Sequence, residues 1–358
     1  MIIWDLPTPA ALIDMDILAA NVKKYQAACD KFGKRLWPMT KTHKSTAIAQ
    51  MARDAGAAGF LCGTLDECEG LAAAGFGGIM YAYPVASEPA ISRVVALARH
   101  GDFFARLDGV DSARLLDAAA REAGVCVNFT MIIDSGLGRF GVLPHQAAHL
   151  AHELAKFANL RFCGISTHPG HVYAAAAPTA EYARQEIAAM DAAAENLRRG
   201  GFSMEIISSG STPTFSDAVA APNIGILHPG NYVFHDAMQI ALGAATQQDC
   251  ALTILATIIS HPRPSEFIID AGAKSMGLDA GAHGNSAISG YGIVVGRPDM
   301  SIISLSEEVG KIYTKSPAQI GDKIRIIPNH ACTAANLARR LITHSGENII
   351  GEIQIDLR

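Results

Sequence analysis

Between residue 10 and about residue 235, apolar runs of strand character alternate with stretches of helical spacing, and nothing else in the chain constrains its fold as strongly. The runs are Ala11-Leu12-Ile13, Arg35 to Thr40, Ala58 to Cys62, Ile79 to Tyr83, Phe103 to Leu107, Val125 to Asp134, Leu160 to Thr167 and Met204 to Ser208. Helices are expected to open near Asp16, after Ser45 and after Thr64. The clearest spans Pro178 to Arg199, with Thr179 to cap it, Glu181 in its first turn, Arg198 and Arg199 in its last, and Gly200-Gly201 to end it. A strand that returns to its sheet through a helix runs parallel to its predecessor with a right-handed crossover. Eight such units in this length favour an α/β fold with a closed (β/α)8 TIM-type barrel over an open doubly wound sheet.

After residue 240 the spacing changes. Ala251 to Ile259, Phe267-Ile268-Ile269, Ile302 to Leu305, Lys323 to Ile327 and Asn348 to Ile353 are rich in β-branched residues and broken by turn-like segments. The expected organisation is a barrel over residues 10–238 and a mostly β domain over residues 239–358 plus 1–9. Charged residues make up 18% of the 358 and the net charge is -5, which excludes the basic stripe of a nucleic-acid binder and points to a small-molecule partner. Met1 to Asp5 has no basic region followed by an apolar run, and no apolar stretch reaches bilayer length, so a cytoplasmic protein is expected. Seven cysteines without regular spacing read as reduced thiols, with Cys62 and Cys163 in the core.

A barrel carries its active site at the C-terminal ends of its strands. Lys41, Asp134, His168 and Ser208 each fall at or just beyond a strand end, so they share that face. Lys41, in Thr40-Lys41-Thr42-His43-Lys44-Ser45, follows a buried-looking strand. Desolvation and the neighbouring cations His43 and Lys44 would lower its pKa, as an amine forming a Schiff base requires. Lys44 belongs to the helix entry and should point elsewhere. Ser208 to Thr214 gathers hydroxyls and a glycine after the last strand, where barrels bind phosphate, and Pro229-Gly230-Asn231-Tyr232 can complete the cradle. A lysine beside a phosphate cup suggests pyridoxal phosphate.

Three further motifs carry chemistry. Gly136-Leu137-Gly138-Arg139-Phe140-Gly141 matches a dinucleotide fingerprint in form, but no acidic residue follows at the next strand end, where Leu160-Arg161-Phe162 stands; Arg139 is better placed to reach an oxyanion in the site. In His168-Pro169-Gly170-His171-Val172-Tyr173, the first histidine reads as structural, and His171 and Tyr173 are placed for proton transfer or for orienting a ligand. His330-Ala331-Cys332 follows the strand at Ile324 to Ile327; if the extended conformation continues, its first and third residues face the same way and offer nitrogen and sulfur to a metal. Imidazole with thiolate favours zinc over manganese or magnesium.

With these motifs in order, TKTHKS, DSGLGRFG, THPGHVY, SSGSTPT, HPGNYVFHDAMQ, DAGAKSM and PNHAC, the chain resembles the metal-assisted pyridoxal enzymes of the alanine racemase fold type along essentially its whole length, and most of all the eukaryotic-type D-serine dehydratases and the related D-threonine aldolases. The resemblance implies a homodimer with sites completed across its interface. It implies Lys41 as the amine joined to pyridoxal 5'-phosphate, Arg139 at the ring oxygen, Ser211, Thr212, Gly230, Asn231 and Tyr232 around the phosphate, His168 against the cofactor, and His330 with Cys332 as zinc ligands. The aldolases typically take an aspartate after a His-Cys pair as second ligand, whereas cysteine stands at that place here, which favours water elimination. The racemases carry arginine at the ring nitrogen where this chain has His228, which leaves the electronic character of the ring open.

The reaction so implied is elimination of water and then ammonia from a D-3-hydroxy amino acid, D-serine or D-3-hydroxyaspartate among them. The rival outcomes are retro-aldol cleavage to glycine and an aldehyde, and a non-catalytic pyridoxal phosphate carrier, against which residues 240–358 and the His-x-Cys pair count. A nicotinamide dehydrogenase is the remaining alternative.

Overall fold

A computed structural model describes residues 1–174, 177–279 and 288–358. Its first sheet is a barrel of eight parallel strands: β2 (Arg35–Leu36), β3 (Phe60–Cys62), β4 (Ile79–Tyr81), β5 (Phe103–Leu107), β6 (Val127–Ile132), β7 (Leu160–Ser166), β8 (Ile206–Ser209) and β9 (Ile226–Leu227), in the order β2-β9-β8-β7-β6-β5-β4-β3. The ring closes between β2 and β3 through a parallel bridge from Met39 to Leu61 and the bond from the Leu61 amide to the Pro38 carbonyl, 3.0 Å. Helices α1 (Met15–Lys31), α2 (Thr46–Ala55), α3 (Leu65–Ala73), α4 (Glu88–Ala98), α5 (Val110–Ala123), α6 (Ala147–Leu154) and α7 (Thr179–Arg199) pack outside it. The apolar faces of α2 to α7 and the outward faces of the strands share one core, with Phe60, Leu71, Val94, Leu116, Phe129 and Leu197 all buried.

Seven of the eight strands read from the sequence are barrel strands. The exception is the first, β1 (Ala10–Asp14), which joins the second sheet, antiparallel to β10 (Leu252–Arg263) and parallel to β16 (Arg340–Ser345). Strand-helix alternation fixes the local type of an element but not the sheet it enters, so β1 followed by α1 looks like any other barrel unit. The missing eighth strand is β9, two residues long and followed at once by Pro229-Gly230, too short to show a period.

The second sheet has nine strands, adding β11 (Glu266–Ile269), β12 (Ile293–Val294), β13 (Ser301–Leu305), β14 (Gly310–Tyr313), β15 (Lys323–Ile327) and β17 (Asn348–Gln354) to those three, and every pairing in it except that of β1 with β16 is antiparallel. A cluster containing Ile13, Leu18, Leu36, Tyr232, Phe234, Leu252, Ala331 and Leu341 runs from the barrel into this sheet, so the two parts share a core and the β domain is held against the barrel mouth. All seven cysteines are free, and Cys62 and Cys163 are buried. Among the described residues no helix is long and apolar enough to cross a membrane.

Candidate active site

The C-terminal ends of the barrel strands enclose a cavity of about 290 Å³, walled on one side by Asp279, His330 and Cys332 of the β domain. Of the residues singled out from the sequence, Lys41, Arg139, His168, Tyr173, Ser211, Thr212, His228, Gly230, Asn231, His330 and Cys332 all line it. His171 and Tyr232 do not.

Lys41 stands in a single 3-10 turn, Thr40–Thr42, after β2, with its side chain exposed to the cavity mouth. The turn is anchored by Glu67, fully buried, whose Oε2 accepts from Thr40 Oγ1 at 2.7 Å and from the Gly63 amide at 2.8 Å. The neighbours are not the free cations that the sequence suggested. Lys44, turned aside by a left-handed backbone (φ 43°), pairs with Glu67 at 3.4 Å. His43 is buried, its Nδ1 accepts from the Ser45 amide at 3.1 Å, and burial lowers its pKa to about 4, so it is neutral.

The glycine-rich loop after β6 is a turn closed on itself. Asp134 Oδ1 accepts from the amides of Gly136 at 2.9 Å and Gly138 at 3.1 Å, while Gly141 (φ 98°) has no room for a Cβ, which would lie 2.8 Å from the Asp134 amide nitrogen. Amides already taken by a carboxylate cannot cradle a pyrophosphate, and the dinucleotide reading falls on that point. The loop instead carries Arg139 to the rim, its guanidinium 5.9 Å from the centre of the Tyr83 ring.

On the opposite wall, Ser211 and Thr212 follow β8, and Gly230 and Asn231 follow β9. Thr212 Oγ1 accepts from the Tyr232 amide at 3.1 Å, so its own proton is free to point into the cavity. A Cβ on Gly230 would lie 3.0 Å from Met39 Cβ and 3.2 Å from Thr42 Oγ1, so the cup closes tightly only around glycine. Tyr232 brings this amide alone: its side chain is fully buried against Tyr25, ring centres 4.5 Å apart. The aromatic ring was more valuable to the core between barrel and β domain than to the cup. His171, too, faces away. Its Nε2 meets Gln185 Oε1 at 3.2 Å and its ring packs on Tyr182, behind Gly136, so proton transfer in the cavity falls to other groups.

Histidines 168 and 228 are neutral. Burial, with Lys41 nearby, lowers His168 to about 3, and burial lowers His228 to about 3. His228 Nδ1 donates to the Trp37 carbonyl at 2.9 Å, leaving Nε2 as a buried acceptor without a partner. Tyr173 sits against Gln239, and burial pushes its hydroxyl well above the usual phenol range, so it remains a donor.

His330 and Cys332 come together as expected, but not by continuing a strand. His330 is the N-cap of the helix Ala331–Leu337 and Cys332 lies in its first turn. Burial pushes the Cys332 thiol up, but His330, Lys41 and Thr42 outweigh it and leave the thiol below its ordinary value. Burial pushes His330 down, and Cys332 with Asp279 overcomes this and raises it to about 11. Thr42 Oγ1 lies 3.2 Å from Cys332 Sγ, which ties the histidine-cysteine pair to the Lys41 turn. Among the described residues no third His, Cys, Asp or Glu completes a closed metal cage. One imidazole and one thiolate at a cavity wall suit a zinc ion that keeps open positions for exogenous oxygen.

Three functional residues escaped the sequence reading. Arg106, inside β5, is buried in the barrel interior; its Nε donates to Ser166 Oγ at 2.8 Å, its Nη2 has no partner, and burial lowers its pKa to about 10. A charge within an otherwise apolar strand was the available signal. Asp279 faces His330 Nδ1 at 3.5 Å. Asp236 is buried and accepts from Asn231 Nδ2 at 2.5 Å and from the Ala331 amide at 2.8 Å, joining the cup to the helix that carries Cys332.

The family model "Alanine racemase, N-terminal domain" matches residues 13–237. The chain belongs to that family. A second model, "Putative serine dehydratase domain", matches residues 251–344 of this racemase-fold chain. Over 91% of its length it is 34% identical to D-threo-3-hydroxyaspartate dehydratase from Delftia sp., of which it covers 91%. It is 28% identical to D-serine dehydratase from Dictyostelium discoideum, with 98% and 96% coverage, and 28% identical to 3-hydroxy-D-aspartate aldolase from Paracoccus denitrificans, with 93% and 87%. The solved structure of the Delftia dehydratase superposes with a TM-score of 0.91 at 30% identity, covering 99% of this chain and 98% of that one. A cysteine-to-alanine variant of a D-threo-3-hydroxyaspartate dehydratase was solved in a metal-free form. The relatives are named as dehydratases and aldolases, which are lyases, and this chain has the alanine-racemase-like barrel with an antiparallel C-terminal domain.

Proposed function

We propose that this chain is a pyridoxal 5'-phosphate- and zinc-dependent dehydratase that converts a D-3-hydroxy amino acid to a 2-oxo acid and ammonia: D-serine to pyruvate, or D-3-hydroxyaspartate to oxaloacetate. The observation that carries the reading is the meeting, around one cavity, of a lysine, a hydroxyl-and-glycine cup and a histidine-cysteine pair from three distant parts of the chain.

The residues present fit both groups. Ser211, Thr212, Gly230 and Asn231 would hold the phosphate, Lys41 would bind the aldehyde carbon, and the unpartnered Arg106 Nη2 and His228 Nε2 offer a donor and an acceptor to ring or substrate. His330 and Cys332 would hold zinc. When bound, the cofactor supplies an electron sink at the α-carbon and the metal a Lewis acid for the 3-hydroxyl oxygen. Lys41 Nζ, at the cavity mouth, would be the group that moves the α-proton. Neutral His168 and the un-ionised Tyr173 add no charge of their own beside the departing hydroxide. Loss of water leaves an enamine, and water added back to its imine tautomer releases ammonia, so the net change is substrate to oxo acid plus ammonia.

Cys332→Ala is expected to abolish elimination and bound zinc while the absorbance of the lysine-bound cofactor persists. Full elimination by a zinc-free variant would remove the metal from the reaction. We further infer a homodimer, because large apolar side chains are exposed beside residues of the cavity: Phe140 in its wall, Leu278 next to Asp279, and Leu337 on the helix that carries Cys332.

A further inference from the structure

Behind the cup, outside the cavity, lies a carboxyl group that the reaction does not use. Glu186, on the inner face of α7, is fully buried. Its Oε1 accepts from Ser209 Oγ, Thr214 stands against the same carboxyl, and Oε2 has no partner of good geometry. Thr214 Oγ1 is 3.0 Å from Ser211 Oγ, and Ser211 lines the cavity. Thr214 therefore stands between Glu186 and Ser211, and a turn of its hydroxyl onto the free Glu186 Oε2 would complete a chain of single-proton groups from Glu186 through Thr214 and Ser211 to the cavity.

Each hydroxyl has one proton to give, so the chain can point only one way at a time. With Glu186 ionised, Thr214 donates to the carboxylate, Ser211 donates to Thr214, and Ser211 turns lone pairs toward the cavity. With Glu186 protonated, its O–H donates to Thr214, Thr214 to Ser211, and Ser211 to whatever lies in the cup. An anion in the cup accepts from Ser211 in the second arrangement, whereas in the first Ser211 has to give up its bond to Thr214 before it can donate. Thr212, by contrast, has its direction fixed by the Tyr232 amide.

We propose that Glu186 is a positioning residue that must be protonated for the cup to hold a phosphate group, so that binding of the phosphorylated cofactor is coupled to uptake of one proton. The inference rests on the cofactor reading above and extends it to a residue outside the site. Burial, against the pull of the Ser209 and Thr214 hydroxyls, raises Glu186 to about 7, within the range where the coupling is visible. The charged group acting on it from the helix Phe215–Ala218 is Asp217, which raises it further. On its own helix Tyr182 lies one turn back, with His171 packed on that ring, and from β8 it meets only the Ser209 hydroxyl. The sign follows from linkage. The complex requires the proton, so affinity is full below about 7 and falls as pH rises through the pKa of the empty site, by about tenfold per pH unit.

The test is a spectrophotometric titration of the cofactor-free full-length protein with pyridoxal 5'-phosphate between pH 5.5 and 8.5, beside Glu186→Gln, whose amide donates to Thr214 at every pH. Taking the ratio of the two affinities removes the ionisation of the ligand and of Lys41. The ratio should be flat below pH 7 and move about tenfold per unit in favour of Glu186→Gln above it. Pyridoxal, which lacks the phosphate, should show a flat ratio throughout. Thr214→Val, which cuts the chain, should bind weakly with no step at pH 7, and it decides the matter if Glu186→Gln does not fold. A ratio independent of pH, or the same step with pyridoxal, overturns the proposal. If neither ligand gives an absorbance that Lys41→Ala abolishes, the cofactor reading itself fails and the inference falls with it.

Discussion

Lys41 and Lys44 are three residues apart and have different roles. Lys44 is held against buried Glu67, while Lys41 reaches the cavity mouth with no carboxylate paired to it among the described residues. Lys41→Ala is expected to lose the lysine-bound cofactor absorbance and roughly 10²–10⁴-fold in turnover, the scale set by loss of a positioned proton-transfer group, whereas Lys44→Ala should keep the spectrum. Equal spectra for both variants would contradict the assignment. The sequence separated these lysines because a strand end fixes which residue meets the barrel mouth. For Arg106 it offered a charge in an apolar strand but not which face of that strand turns inward, and it could not show that His43 would be neutral, which depends on burial supplied by distant segments. Nor could it show where the Tyr232 ring would go: a residue next to a cup can contribute an amide while its side chain belongs to the core.

At the scale of elements, the parallel barrel could be read from the rhythm of the chain, and its exceptions come from pairing choices that rhythm does not encode. β1 and β9 differ from expectation because sheet membership is decided by long-range partners such as β16, more than 300 residues from β1. Gly164, in β7 where its register with β6 shifts, shows how tight such pairing is: with φ 143°, a Cβ there would lie 1.8 Å from the Ile206 carbonyl oxygen of β8. Gly164→Ala should cost about 3 kcal/mol or more and lower the thermal unfolding midpoint by several degrees, if the protein is recovered at all. An unchanged midpoint would show that β7 and β8 can part locally. Asp236 makes a comparable link between parts, and Asp236→Ala leaves the Asn231 amide group and the Ala331 and Gln239 backbone amides without their acceptor. A loss of about 2 kcal/mol or more is expected in chemical denaturation, together with weaker cofactor binding, since the cup and the helix that carries Cys332 both lean on it.

For the whole molecule, the site exists because a shared core presses the β domain onto the barrel mouth, bringing Cys332 to within 3.2 Å of Thr42 across 290 residues of sequence. Light scattering should give twice the 37.7 kDa mass of one chain, and a monomer at working concentration would contradict the dimer. The central claim is the choice of bond. Purified protein supplied with pyridoxal 5'-phosphate and zinc should be incubated with D-serine and with D-threo-3-hydroxyaspartate, and 2-oxo acid, ammonia, glycine and aldehyde measured together. Oxo acid and ammonia are expected in equal amounts without glycine; glycine with an equal amount of aldehyde would show that the Cα–Cβ bond breaks instead, and would contradict the dehydratase assignment.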